Sequence, residues 1–541
     1  MKNRYTRRDI LRLAAALGIA PVMPTLVGCS DASDTFGDLL PDYEFDGTPG
    51  PESLFSHSVA SGDPLPFAVI LWTRVSPDNA EPVDVFWEVA RDAQFTDRVG
   101  AGWTRTDAGR DFTVKLDAMG LEAGTSYYYR FQSLGRVSPI GRTRTAPLGD
   151  VDRLRMAVVS CSNYPVGYFH AYRKISEKAD LDLVVHLGDY IYEYGSDSGA
   201  LRPHDPPREI IALEDYRQRY AQYRSDPDLQ EAHRQHPFVT VWDDHESANN
   251  SWRDGAQNHD EDSEGSWAER RAAAERAYSE WLPIRDQDDG RTFRLLAFGD
   301  LADLFMLDTR LWGRDRQIES TGDREGIRDP ARTILGFDQE EWLADGLRDS
   351  SARWVIAGQQ VIMSPWKLVG APESEGGGAI ANTDSWDGYF ASRERLEQAL
   401  GEAGNPNFVV LTGDVHSSWA FDIATDPNDP AAYDPVTGAG SVGVEFVTTS
   451  VTSNFPAVGI EGAFLSASPH LHWGETASRG YLVLDLTPDR AEAVWYHFDS
   501  VSEVEAEERL AKVFATVAGT NHLEEQAAPS LPPGSSAGLA P

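Results

Sequence analysis

The chain has 541 residues, room for roughly two to four domains at about 100–200 residues each. Hydrophobic residues make up 41% and charged residues 25%, a globular composition that excludes collagen, coiled coil or disorder for most of the chain. The formal charge of −38, from 48 basic and 86 acidic residues, disfavours nucleic-acid binding through a basic field. No Lys follows a Gly, so the Gly-Lys of a Walker-A loop is excluded as well.

Residues 1–28 read as an address segment. Lys2, Arg4, Arg7, Arg8 and Arg12 precede an apolar run from Leu13, the layout of a secretory signal. The pair Arg7-Arg8 resembles a twin-arginine export signal, which makes the twin-arginine translocase the expected partner during export. That route carries proteins already folded, which favours a metal site filled before export. The run closes on Leu26-Val27-Gly28-Cys29, which is similar to a lipobox with Cys29 as the lipidated residue; an ordinary cleavage site with a chance Cys is the alternative. At about 15 residues, interrupted by Pro21 and Pro24, the run is too short to span a bilayer. The expected product sits in the periplasm or at the cell surface, held to a membrane only through lipid, if at all, and monomeric.

Residues 29–50 are polar with scattered Gly and Pro and read as a linker. From 51 to 147 the pattern is short strands, at Phe67–Arg74, Val83–Ala90, Asp111–Leu116 and Ser126–Gln132, separated by turn signals such as Ser61-Gly62-Asp63-Pro64. This predicts a small N-terminal β-sandwich. Across 153–500, β-branched runs alternate with helical stretches. Strands are expected at Arg155–Ser160, Leu181–Leu187, Phe238–Trp242, Leu304–Asp308, Trp354–Gly358, Phe408–Thr412, Val444–Thr448, Tyr481–Leu486 and Ala493–Phe498. Helices are expected at 213–224, 267–281, 338–348 and 391–402. In the first of these, Tyr216, Tyr220 and Tyr223 share one face and read as packing. The alternation predicts an α/β domain, layered α-β-β-α. Region 501–541 is expected to hold a helix at 503–516 and a disordered tail from 525.

Four predicted strands end in clusters of chemistry-bearing residues. They read Ser160-Cys161-Ser162-Asn163, Gly188-Asp189-Tyr190-Ile191-Tyr192-Glu193, Asp243-Asp244-His245-Glu246 with Asn249-Asn250 after it, and Gly413-Asp414-Val415-His416. Ligands collect beyond the carboxyl ends of parallel strands. Burying this many carboxylates together is unfavourable without cations, so the set implies bound metal. Each block alone has a bland reading, as a turn, a solvated acidic loop or a buried apolar Cys; their order and spacing together are far more specific.

That order resembles the calcineurin-like metallophosphoesterases, whose scheme runs Asp-x-His, Gly-Asp, Gly-Asn-His-Glu and Gly-His-x-His. Cys161, Asp244 and Asp414 stand where that scheme has other residues, and these departures are similar to the PhoD-type alkaline phosphatases and phosphodiesterases. Asp-Tyr-Ile-Tyr-Glu-Tyr-Gly (189–195), Gly-Ala-Gln-Asn-His (255–259), Leu-Asp-Thr-Arg (307–310) and Phe55–Pro64 extend the likeness to about residues 50–500. The resemblance implies a four-layer α-β-β-α sandwich behind a fibronectin-III-like β-sandwich. It also implies hydrolysis of small phosphate esters by in-line attack of a metal-bound hydroxide or oxide. It implies Fe(III) with Ca²⁺, where simpler relatives use Zn²⁺ or Mn²⁺. Cys161, Asp189, Tyr192 and His416 are then the expected iron ligands, with Asp189 bridging to calcium. Asp244 and Asp414, assisted by Asn249 or Asn250, are the expected calcium ligands. His245 is expected to protonate the leaving oxygen. Arg310 reads either as a clamp on a phosphoryl oxygen or as a structural salt bridge.

A phospholipase-D-like or nuclease-like diesterase is the nearest alternative, and a lipid-tethered binding protein with a degenerate metal site the more distant one. Cys161 as a thiol nucleophile is disfavoured by the Asp and Tyr around it. Gly534-Ser535-Ser536-Ala537-Gly538 matches a nucleophile elbow but lacks the strand and helix that motif needs. The acidic stretch His259–Glu264 lacks EF-hand spacing and is expected to be a surface loop.

Overall fold

The computed structural model describes residues 40–197, 199–404, 407–534 and 537–541. The leader, Cys29, the first part of the linker and Ser536 lie outside the described residues.

Period-two alternation sorts each central strand's side chains onto two faces, and that sorting builds the layers. In the strand Leu154–Val159, Met156 and Val158 point into a core shared with Leu304, Met306, Ile356, Val409 and Leu411, while Ala157 and Val159 point to the opposite face. In the strand Phe408–Thr412, Val409 and Leu411 enter the shared core; Phe408 and Val410 face outward against Leu343, Leu347, Leu396 and Leu400. Two sheets therefore pack face to face, and each is covered on its outer side by helices. His170–Ser176, Leu213–Tyr223, Pro227–Gln235 and Trp267–Trp281 contribute to the first cover, Phe337–Asp349 and Phe390–Ala403 to the second. The result is a four-layer α-β-β-α sandwich. Tyr216, Tyr220 and Tyr223 are fully buried in the first cover, in the packing role expected of them. Truncating a buried leucine of the shared core, such as Leu411, to alanine costs about 2–5 kcal/mol in such a setting.

The first sheet has ten strands and the second seven. Each has a parallel centre. In the first, Leu154–Val159, Leu183–His186, Pro237–Thr240 and Val59–Leu65 run parallel. In the second, Ala302–Met306, Trp354–Gln359, Phe408–Thr412 and Ser441–Val447 do so. All four clusters singled out in the sequence follow these strands directly.

The N-terminal β-sandwich is present, and one of its faces is shared. Val59–Leu65, Ala68–Arg74 and Thr113–Met119 form the end of the ten-stranded sheet, and they pack through Val59, Val69 and Leu71 on Val85, Val89, Tyr129 and Phe131 of a separate five-stranded sheet. The Ser61–Pro64 segment, expected to be a turn, is thus part of a buried strand paired with Pro237–Thr240. Gly62 permits this: a Cβ there would collide with the carbonyl oxygens of Pro283 and Phe238.

Two C-terminal expectations are corrected. Residues 503–516 do not form a helix; Glu508–Val517 is a strand paired antiparallel with Arg490–Phe498. Its Glu-, Arg- and Ala-rich start favours helix locally, but burial of Val513, Phe514 and Ala515 against the sheet overrides that preference. The tail beyond 525 is held in place rather than disordered where it is described. Tyr128 donates to the Gly538 carbonyl at 2.7 Å, and Gln235 exchanges hydrogen bonds with the backbone of Ala540. The acidic stretch before Gly265 closes a short exposed helix, Glu261–Glu264, capped by Asp260.

Candidate metal centre

The site forms where the carboxyl ends of both sheets meet. Cys161 follows Leu154–Val159, Asp189 follows Leu183–His186, and Asp243–His245 follow Pro237–Thr240. From the facing sheet come Arg310 after Ala302–Met306, Asp414 and His416 after Phe408–Thr412, and Ser453 and Asn454 after Ser441–Val447.

Four of these residues carry a left-handed backbone although none is glycine: Cys161 (φ 61°), Asp189 (φ 55°), Asp414 (φ 61°) and His416 (φ 56°). Such conformations cost of order 1–3 kcal/mol each and persist where the surroundings hold them for a purpose. Two of the turns are clamped together by backbone bonds, Cys161 N–H to the Gly188 carbonyl at 3.1 Å and Ser162 N–H to the Asp189 carbonyl at 2.9 Å. A third tie is the buried carboxylate of Glu246, which accepts the amides of Asp189 (3.0 Å), Tyr190 (2.6 Å) and Asp243 (2.8 Å). Burial pushes the Glu246 carboxyl up to about 8, against these amides.

Sulfur, phenol, carboxylate and imidazole converge on one point. Ligand atoms of Cys161, Asp189 and His416 lie within 4.8 Å of one another. The Tyr192 hydroxyl lies 2.9 Å from Asp189 Oδ2, 3.2 Å from His416 Nε2 and 2.6 Å from Ser453 Oγ. His416 Nδ1 is 3.1 Å from the Asn454 carbonyl, to which it donates; this leaves Nε2 as a lone-pair donor facing Asp189 and Tyr192. Next to this group stands a carboxylate set, Asp243, Asp244 and Asp414, also within 4.8 Å, and Asp189 with Asp244 and His245 completes a third.

The electrostatics of this arrangement call for cations. Burial, with Asp189 and Asp243 beside it, pushes the Cys161 thiol well up, and burial raises the Tyr192 phenol in the same direction. Burial pushes Asp189 and Asp414 up to about 7 and raises Asp243 well above the carboxylate range. Asp189 Oδ1 and Asp243 Oδ2 are buried without a hydrogen-bond partner. Donors of this kind release their protons to a metal. The residues present therefore fit a metal centre: a thiolate, phenolate and imidazole set suited to a trivalent or borderline ion, beside an oxygen set suited to a hard divalent one.

The expected metal ligands and Arg310 fall into three groups. Cys161, Asp189, Tyr192 and His416 are brought together, with Asp244 and Asp414 alongside. Asn249 and Asn250 lie at the rim with both side-chain amides donating to Gln257 Oε1, at 2.6 and 3.0 Å. Their backbone N–H groups reach the site instead, donating to Glu193 (2.7 Å) and Asp244 (2.6 Å). Arg310 is fully buried and committed on every side: Nε to Asp243, Nη1 to both oxygens of Asp384 (3.0 and 2.8 Å) and Nη2 to Asp414 (2.8 Å). This is the geometry of the salt-bridge alternative.

His245 stacks on the Tyr192 ring with centroids 4.2 Å apart, and its Nδ1 lies 2.6 Å from Glu193 Oε2. Burial lowers the affinity of this imidazole for a proton, but Glu193, Asp244 and Asp189 outweigh it and hold its pKa well above the usual range. Sequence reasoning assigned no role to Glu193, Glu246, Asp384, Ser453 or Asn454. The first two sit inside the quoted blocks, whereas the others come from loops with no local signal.

The family model described as PhoD-like phosphatase matches residues 156–495, and that of the PhoD-like phosphatase N-terminal domain matches 46–147. Alkaline phosphatase D of Bacillus subtilis (strain 168) is 39% identical over 479 residues, covering 83% of this chain and 78% of its own. A solved structure of PhoD superposes with a TM-score of 0.81 at 36% identity, covering 92% of this chain and 95% of its own.

Proposed function

The chain belongs to the PhoD-like phosphatase family, and from that premise we propose that it is an exported, metal-dependent alkaline phosphatase/phosphodiesterase acting on small phosphate esters. The observation that carries the reading is the convergence of Cys161, Asp189, Tyr192 and His416 on one point, beside the Asp243/Asp244/Asp414 carboxylates. The first set would hold Fe(III), and Asp189, Asp244 and Asp414 would hold Ca²⁺. Bound there, the ions supply charge neutralisation for the phosphoryl group and acidification of water.

The protein's own groups do the rest. Glu193 fixes the His245 ring through Nδ1 and keeps the imidazole charged, so Nε2 is the atom left to hold a proton for the departing oxygen. The Tyr192 ring stacked on His245 blocks rotation of the imidazole. Arg310 spaces Asp243, Asp384 and Asp414 and offsets their charge, which keeps the carboxylate set open before cations arrive. Burial of these groups excludes bulk water and strengthens every charge interaction in the site.

The paired arginines of the leader support export by the twin-arginine route to the periplasm or cell surface, with Cys29 lipidated. No helix among the described residues is long and apolar enough to cross a membrane. The net charge of −38 supports small esters over long polyanions and a monomer without nucleic-acid partners.

Elemental analysis of the natively exported protein, paired with a monoester and diester panel, tests the reading. Iron with calcium and hydrolysis of either ester class is expected. Zinc or manganese without iron would keep the phosphoesterase and overturn the ion assignment. A protein free of metal and inert on every ester would overturn the function.

A further inference from the structure

A second cluster of metal-ligating side chains lies away from the catalytic centre. Asp422, His472 and His522 place one ligand atom each within 4.8 Å of one another. Asp422 lies on the strand Ser418–Ala424, whereas His416 lies in the turn before it, and the two clusters share no residue.

Three features mark the cluster as built. First, Asp422 is fully buried and its carboxylate is aimed by groups outside the triad: Tyr433 donates to Oδ2 at 2.8 Å and the Leu523 amide to Oδ1 at 2.9 Å. This is how outer partners orient a ligating carboxylate. Second, His472 is the extra residue of a β-bulge. The pairing of Ser418–Ala424 with Leu471–Glu475 runs Ala420 to Trp473 and then Phe421 to Leu471, so His472 has no opposite number. Bulges re-aim side chains, and this one turns His472 towards Asp422. Third, His472 Nε2 lies 3.2 Å from Asp422 Oδ1, yet this buried nitrogen makes no hydrogen bond. Two ligands of one tetrahedral ion with bonds of about 2.0–2.1 Å stand about 3.3 Å apart without pointing at each other. His522 Nδ1 is nearer, 2.6 Å from Oδ2, and its ring centroid is 5.4 Å from that of His472.

We propose that Asp422, His472 and His522 form a second metal site, for Zn²⁺, that ties the C-terminal end of the ten-stranded sheet to the edge of the seven-stranded sheet. Imidazole with one carboxylate suits zinc, and the side chains of His472 and His522, 18% and 17% exposed, leave a path for the ion and for a water as fourth ligand. His522 follows the strand Glu508–Val517 of one sheet, while Asp422 and His472 belong to the other, so an ion here cross-links the two layers. Its role is structural, and it stands whether or not the phosphatase reading holds.

The test compares the full exported protein with a His472→Gln/His522→Gln double variant, both equilibrated with Zn²⁺. The variant is expected to hold about one equivalent of zinc less, to lose the zinc-dependent rise in unfolding temperature, and to keep the wild-type hydrolysis rate. Equal zinc content and an equal rise in both proteins would overturn the site. Should the variant fail to fold, wild-type crystals grown with zinc decide: anomalous density between the three side chains, measured across the zinc edge, supports the proposal, and its absence there with zinc bound elsewhere overturns it.

Discussion

Glu193 Oε2 lies 2.6 Å from Nδ1 of His245, and both side chains are buried. The same carboxylate accepts the amide of Asn249 at 2.7 Å and the side chain of Asn258 at 3.0 Å through Oε1, so it is held independently of the imidazole. A carboxylate fixed in this way sets which nitrogen of His245 carries the working proton.

His245→Ala should therefore lower kcat by about 10²–10⁴ on alkyl phosphates, whose leaving oxygen needs a proton. The loss should be much smaller on aryl phosphates with acidic phenols. Glu193→Gln should follow the same split at lower amplitude, with KM little changed. Steady-state kinetics across a leaving-group series checks this; an equal loss on every ester would mean that His245 only positions substrate.

Cys161 is fully buried and faces Asp189 and Tyr192. Replacing its sulfur with the harder, poorly ionised hydroxyl in Cys161→Ser should remove about one transition-metal equivalent and most of the activity while the secondary structure is retained. Tyr192→Phe should act in the same direction. Metal content measured beside circular dichroism separates this from misfolding, and full metal content in Cys161→Ser would contradict the ligand assignment. Prolonged chelation of the wild-type protein should reproduce the loss, with activity returning when the metals are restored.

Among the described residues Arg310 is the sole cation bonded to Asp243 and Asp414, and it also binds Asp384 with Arg314. Arg310→Leu should strand these buried carboxylates and cost about 3–5 kcal/mol of stability. Arg310→Lys should recover part of it, because an ammonium cannot span three carboxylates as a guanidinium does. Calorimetry with and without added metal is the check: destabilisation that bound metal reduces is expected. Unchanged stability with a raised KM would instead make Arg310 a substrate clamp.

The side chains of the candidate site were legible because each sits within a contiguous block at the end of a hydrophobic strand, where apolar runs and the following Gly-Asp or Asp-Asp-His-Glu are read together. What joins the blocks was not. Glu246 links Asp189 to Asp243 through backbone amides, and Ser453 reaches Tyr192 from 261 positions away; contacts of that kind leave no local pattern. The long α/β alternation gave the layers, since period two in Met156-Ala157-Val158-Val159 is continuous. It failed where tertiary pairing overrode propensity, as in Glu508–Val517, and where a close backbone approach made Gly62 part of a strand.

Acid should weaken the fold through buried histidines that are not among the candidate metal ligands. His236 caps the helix Pro227–Gln235, is fully buried and lies with Nε2 3.1 Å from the Ile175 carbonyl, while its Nδ1 has no partner. Burial, reinforced by the positive charge of Arg142, lowers its pKa to about 3. Burial brings His186 down to about 3 as well. The folded-state pKa lies below the unfolded value of about 6.5, so the unfolded chain takes up the proton first. The stabilisation is complete above about pH 6.5 and is lost as pH falls towards 3, at about 1.4 kcal/mol per pH unit for each ring. Unfolding free energies measured between pH 7 and 5 should show this slope. His236→Gln keeps a donor for the Ile175 carbonyl and does not titrate, so its slope should be shallower by about one proton. Because the metal centre is unchanged in that variant, the difference between the two slopes belongs to His236, and equal slopes would refute the assignment.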